Sequence, residues 1–122
     1  LILHAAYAFV PLGFVLVGAS AFGLAPASAG LHAWTGGAIG AMTLAVMTRA
    51  TRGHTGRPLV ADRGTALLYL LVVGGALARV AASLAPAHAI GLLHLGGTAF
   101  AAAFLGFALL YGPLLLRPRR AA

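Results

Sequence analysis

"MTRATRGHTGRPL" (residues 47–59) is the one markedly polar stretch in a chain of 122 residues that is 61% hydrophobic. It carries Arg49, Arg52, His54 and Arg57, punctuated by Gly53 and Gly56 and closed by Pro58. The sequence on either side is oily. Charged residues make up 7% of the chain, against about 25% in ordinary soluble domains. A run of about 20 apolar residues forms a helix long enough to cross the roughly 30 Å hydrocarbon layer. Four such runs can be drawn, at about residues 3–24, 31–48, 65–84 and 86–111, the last stopped by Pro113 and the arginines after it. They lack the period-two alternation of barrel strands and are too long for them. The expected fold is all-α, a polytopic transmembrane bundle of four membrane-spanning helices forming a single domain over 1–122. The first apolar run begins almost at residue 1, without a leading Met. That points to a piece of a larger membrane protein. A basic leader is missing and the run is longer than the core of a signal peptide.

The polar string fits this reading as a topological marker. All eight basic residues are arginines, and seven fall in two places, the segment from Arg49 to Arg63 and the tail from Arg117 to Arg120. With four crossings these lie on one side. The connections around residues 25–30 and 85–87 lie on the other and carry no charge. Positive charge marks the cytoplasmic side, so both termini are expected there. The net charge of +7 is then a matter of topology and of contact with anionic lipid headgroups, and no nucleic-acid partner is expected.

Lipid gives helices no hydrophobic reason to associate, so small residues must let them pack closely. The chain has 17 glycines, including Gly36 and Gly40 in a GxxxG pattern. Gly74, Gly75, Gly91, Gly96, Gly97 and Gly106 lie in the third and fourth runs. Pro11 lies inside the first run and cannot donate to the Tyr7 carbonyl, so a kink is expected there. Asp62 is placed to cap the third helix, and Pro86 suits the first turn of the fourth.

Most enzyme chemistries are closed by composition. Asp62 is the only acid and there is no cysteine. Disulfides, thiolate metal sites and covalent c-type haem attachment are excluded. No carboxylate pair serves glycoside hydrolysis, and no intramembrane carboxylate can orient a Ser-His couple. There is no glycine loop with Lys for phosphate. Five histidines remain, with one arginine inside a helix. His32, His88, His94 and Arg79 fall in the outer half of the expected bundle. His4 and His54 fall at the inner side. At about 1.5 Å per residue, His4 and His94 differ in depth by roughly 20 Å, too far for one metal. His88 and His94 are six residues apart, roughly 120° around the helix, so they do not make a one-face ligand pair. His94 has Gly91 and Gly97 on its own face, and His32 has Gly36, so each has room beside the imidazole for a flat group.

Arg79 is costly in a membrane helix, about 2.5–3.5 kcal/mol unless it finds a partner or reaches the surface. An anion such as a haem propionate would satisfy it. Iron held by histidine in haem is well-precedented chemistry, and imidazole also suits copper. This reading takes His4, His32 and His94 as cofactor ligands with Arg79 as anion partner. His32, His54, His88 and His94 are the metal-ligand candidates. Alternatives are a haem-based transmembrane electron-transfer protein and a metal-free structural or transport module, in which the histidines only pack or reach the interface.

The string "GAIGAMTLAVMTRATRGHTGRPL" (37–59), with "LHAWTGGAIG" (31–40) and "HAAYAFVPLGF" (4–14), resembles the NnrS family. That family consists of polytopic bacterial inner-membrane proteins of about twelve helices. They contain haem and copper and are linked to tolerance of nitric oxide and nitrosative stress, often beside denitrification. The resemblance is strongest over 31–59 and implies that the chain corresponds to a C-terminal third. It implies b-type haem, copper, and nitric oxide or an iron-nitrosyl species as partners. Family histidines correspond to His4, His32, His54, His88 and His94. Whether such a protein is an enzyme is left open by the residues.

Overall fold

The computed structural model describes residues 1–116. The expected basic tail, Arg117 to Arg120, lies outside the described residues. The chain is helical nearly throughout. α1 spans Ile2–Ala21 and α2 spans Ala27–His32. A π-helical stretch follows at Ala33–Gly40 and leads without a break into α3, Ala41–His54. α4 spans Arg63–Leu84, a short 3₁₀ turn spans Pro86–His88, and α5 spans Ala89–Leu116.

The all-α class expected from composition holds, but the count of four regular spans does not. Among the described residues, three helices are long and apolar enough to cross a membrane: Ile2–Ala21, Arg63–Leu84 and Pro86–Leu116. The second apolar run, 31–48, lies in a helical rod that changes from α to π and back, so no one regular segment reaches that length. A π turn carries an extra residue per turn and widens the backbone. The widening shifts the faces of Ala33–Gly40 relative to those of α2 and α3. The fourth run also differs at its end. α5 continues through Pro113 to Leu116. Proline removes one hydrogen bond, to the Leu109 carbonyl, whereas ending the helix there would strip several backbone groups of partners in an apolar setting. Pro11 is likewise held within an uninterrupted α1.

The helix ends were partly readable. Asp62 caps α4: its Oδ1 accepts from the Thr65 backbone N–H and from Thr65 Oγ1, both at 2.8 Å. Pro86 stands in the first turn of the 3₁₀ segment. Both α1 and α3 end in the six-to-one, five-to-two bond pattern that a left-handed glycine permits. At α3 the Arg57 N–H donates to the Arg52 carbonyl at 2.9 Å and the Gly56 N–H to the Gly53 carbonyl at 3.2 Å. Gly56 has φ +69°. Gly53, expected as a second turn glycine, is instead helical.

The packing is inside-out relative to a soluble domain. The interior is made of small residues: Ala6, Ala29, Ala33, Ala41, Ala45, Ala76 and Ala103 are all fully buried. Large apolar side chains point outward, among them Phe14, Val15, Ile39, Leu70 and Leu109, each more than half exposed. Such a surface suits lipid or further membrane helices and not water. Trp34 packs into the gap at Gly13, Phe9 covers Gly37, and a Cβ on Gly40 would lie 2.6 Å from the Phe100 ring. Close backbone approaches join α1 to α2, where a Cβ on Gly30 would meet the Gly13 carbonyl at 2.8 Å, and α4 to α5, where a Cβ on Gly75 would meet the Gly96 carbonyl at 2.9 Å.

Candidate cofactor site

Two registers set the geometry. α2 and α4 run antiparallel, with Ser28 Oγ donating to Ser83 Oγ at 3.1 Å. One helical turn further along each, His32 comes opposite Arg79. A further turn on, a Cβ at Gly36 would be 3.6 Å from Ala76. On the other side of α4, the Arg79 stem crosses Gly96 of α5, where a Cβ would lie 2.7 Å from Arg79 Cγ. Arg79 is thus half-buried between two helices, its stem lying over Gly96 of α5. His32 is half-buried too.

The other candidates are not drawn into this site. His94 is exposed. It stands two residues from Gly96, roughly 200° around α5, so it faces away from Arg79. The room expected beside it is present, since nothing lies within 4 Å of a Cβ at Gly91 or Gly97, but this space is open and not enclosed. His88 is exposed in the 3₁₀ turn and lines, with Pro86, Gly91 and Leu95, an open cleft of about 490 Å³. His4 is exposed near the start of α1, and His54 is exposed as the last residue of α3. Among the described residues no three His, Cys, Asp or Glu side chains come together to hold a metal ion.

The opposite end of the bundle holds a network that the sequence did not reveal. Arg52, expected to sit among headgroups, turns inward with a side chain only 13% exposed. Its Nε donates to the Pro58 carbonyl at 2.8 Å and its Nη1 to Asp62 Oδ2 at 2.9 Å. Asp62 in turn holds Thr65, and Thr65 Oγ1 is hydrogen-bonded to the buried Tyr111 hydroxyl of α5. A parallel bond joins Thr48 of α3 to Tyr69 of α4. The amide and hydroxyl of Thr65 first, and Arg52 after them, hold the Asp62 carboxyl at about 2, below its ordinary 3.8. The signal available in sequence was the solitary acid. A chain with one carboxylate and several arginines has an ion pair to find, but nothing local says which arginine makes it.

The fold and this geometry define a class: a helical membrane protein with a half-buried histidine and a half-buried arginine at one end and a pinned basic loop at the other. The family model of the NnrS protein matches residues 1–119. The chain belongs to the NnrS family. No curated protein and no solved structure matches the chain.

Proposed function

We propose that the chain forms part of a haem-binding membrane protein of the nitric oxide response, in which His32 would hold the iron and Arg79 a propionate of one haem. The observation that carries this reading is the α2–α4 register, which brings His32 and Arg79, both half-buried, to one level of the bundle. A neutral imidazole is an iron ligand, and a guanidinium is a partner for a propionate. Both lie at a contact built from Gly36, Ala76 and Gly96, where small residues let the helices approach closely. The donor set fits one axial ligand and one anion anchor. Bound haem would supply an iron able to take nitric oxide. His32 would orient the ring, and Arg79, otherwise a costly charge among apolar helices, would gain a counter-ion. A second ligand, and all copper ligands beyond single histidines, would come from other helices of the parent protein, which has room to deliver them to the exposed faces at His88 and His94. The same reading puts the chain in the bacterial inner membrane with the Arg49–Arg63 end facing the cytoplasm, by the asymmetry of arginine between the two ends.

The test is the absorption spectrum of the purified full-length parent, oxidised and reduced, with and without nitric oxide, beside metal analysis. A Soret band that shifts on adding nitric oxide is the expected result. A spectrum without a Soret band, in a preparation without stoichiometric metal, would return His32 and Arg79 to ordinary helix packing.

A further inference from the structure

A cleft of about 530 Å³ opens at the arginine-rich end, between the start of α1, the last turns of α3, the 55–62 loop and the first half of α4. Its walls are apolar, formed by Ile2 of α1, Leu59 of the loop and Ala66, Leu70 and Val73 of α4. Arg49 is the one charged residue that lines it. Arg49 is exposed, and among the described residues it has no ion-pair partner, because the single acid is taken by Arg52. The cation stands at the rim. From Ala66 to Val73 the trough descends roughly 10 Å along α4 into the apolar part of the bundle. A positive rim over a greasy trough has the shape and polarity of an amphiphile with an anionic head.

We propose that this cleft binds one anionic phospholipid, its phosphate at Arg49 and an acyl chain lying along Leu70 and Val73. Charge complementarity selects this occupant. A guanidinium binds phosphate through paired hydrogen bonds. A further helix of the protein would have to bring its own acid to the same place. The pinned loop has a role here. The Arg52–Pro58 and Arg52–Asp62 bonds hold the segment that carries Leu59 against the cleft, so the polar string shapes a lipid seat as well as marking topology. This inference is independent of the haem reading.

The experiment uses the full-length protein in mild detergent, with phosphatidylglycerol or phosphatidylcholine added and bound lipid counted by native mass spectrometry. Wild type should retain one phosphatidylglycerol in preference to phosphatidylcholine. Arg49→Gln should lower phosphatidylglycerol retention by about fivefold, the effect of one arginine at a membrane surface, and Arg49→Lys should restore most of it. Ala66→Phe, at an exposed position that lines the trough, should displace both lipids. Arg57→Gln, outside the cleft, should change neither. Equal retention of the two lipids by wild type and Arg49→Gln would overturn the proposal. So would lipid retained in full by Ala66→Phe, or a photo-crosslinker at Leu70 that captures another segment of the protein and not lipid.

Discussion

Asp62 shows what a single residue does in this chain. It caps α4 through Thr65 and pairs with Arg52, tying α3, the loop, α4 and, through Tyr111, α5 together at one end. Removing an N-cap side chain costs on the order of 1 kcal/mol. Asp62→Ala in the full-length protein is therefore expected to lower the thermal midpoint in detergent, and Asp62→Asn, which keeps a cap acceptor, to lower it less. The pH dependence has a definite sign. A carboxyl depressed in the fold stabilises it above the ordinary pKa of 3.8 and loses that contribution as pH falls through about 2. The gap between wild type and Asp62→Ala should be constant above about pH 5 and close toward pH 2, a trend that midpoints measured across that range would reveal. The cap was legible because N-cap chemistry acts over three residues. The partner was not: Arg49, Arg52 and Arg57 look alike in sequence, and only the loop's path, fixed by Gly56 in the left-handed conformation, turns Arg52 inward while Arg49 and Arg57 stay exposed.

Among the elements, the rod from residue 27 to 54 departs most from expectation. Its apolar length was readable, but its π-helical centre was not. Glycines at 36, 37 and 40 announce close packing without saying which rings will fill the gaps. Those rings are Phe9 of α1 at Gly37 and Phe100 of α5 at Gly40, while Gly36 meets Ala76 of α4. Pro113 misled for a related reason, because proline ends helices in water far more readily than in an apolar bundle. The glycines also divide into two kinds. At Gly75 a Cβ would meet the Gly96 carbonyl and the Phe100 amide, which are backbone and cannot step aside; at Gly74 there is nothing within 4 Å. Gly75→Ala should separate α4 from α5 and destabilise by about 1–3 kcal/mol, as overpacking does. Gly74→Ala should leave stability unchanged or raise it, alanine being the better helix former by about 1 kcal/mol. Thermal midpoints of the two variants side by side test the close α4–α5 contact. Equal losses would show that the open face at Gly74 is covered in the full protein.

For the whole molecule, the structure puts the turn at residues 22–26 and the 3₁₀ turn Pro86–His88 at one end, joined by Ser28 and Ser83. The arginine-rich loop is at the other. This alternation was legible from the placement of arginine alone. Of the candidate site residues, His32 and Arg79 stand out in sequence by their types inside apolar runs, and the antiparallel α2–α4 register sets them at one level of the bundle. His4, His54, His88 and His94 all stand on exposed surfaces, and local pattern in nearly all-apolar helices does not say which face a histidine takes. Because the chain has no cysteine, single cysteines report sidedness cleanly. A cysteine at Ala25 should react with a membrane-impermeant thiol reagent in intact cells, and one at Thr55 should react only after permeabilisation. Reaction of both in intact cells would mean that the π-interrupted rod does not cross.

The most direct test of the central claim is the haem-to-protein ratio of the full-length protein with His32→Ala and Arg79→Gln, measured beside wild type under equal haem supply. The account predicts that His32→Ala loses or spectrally alters one haem. Arg79→Gln should keep the ligand but bind that haem about tenfold or more weakly, the effect of losing a hydrogen bond to a charged group. Wild-type haem content and spectra in both variants, with the proteins folded, would contradict it.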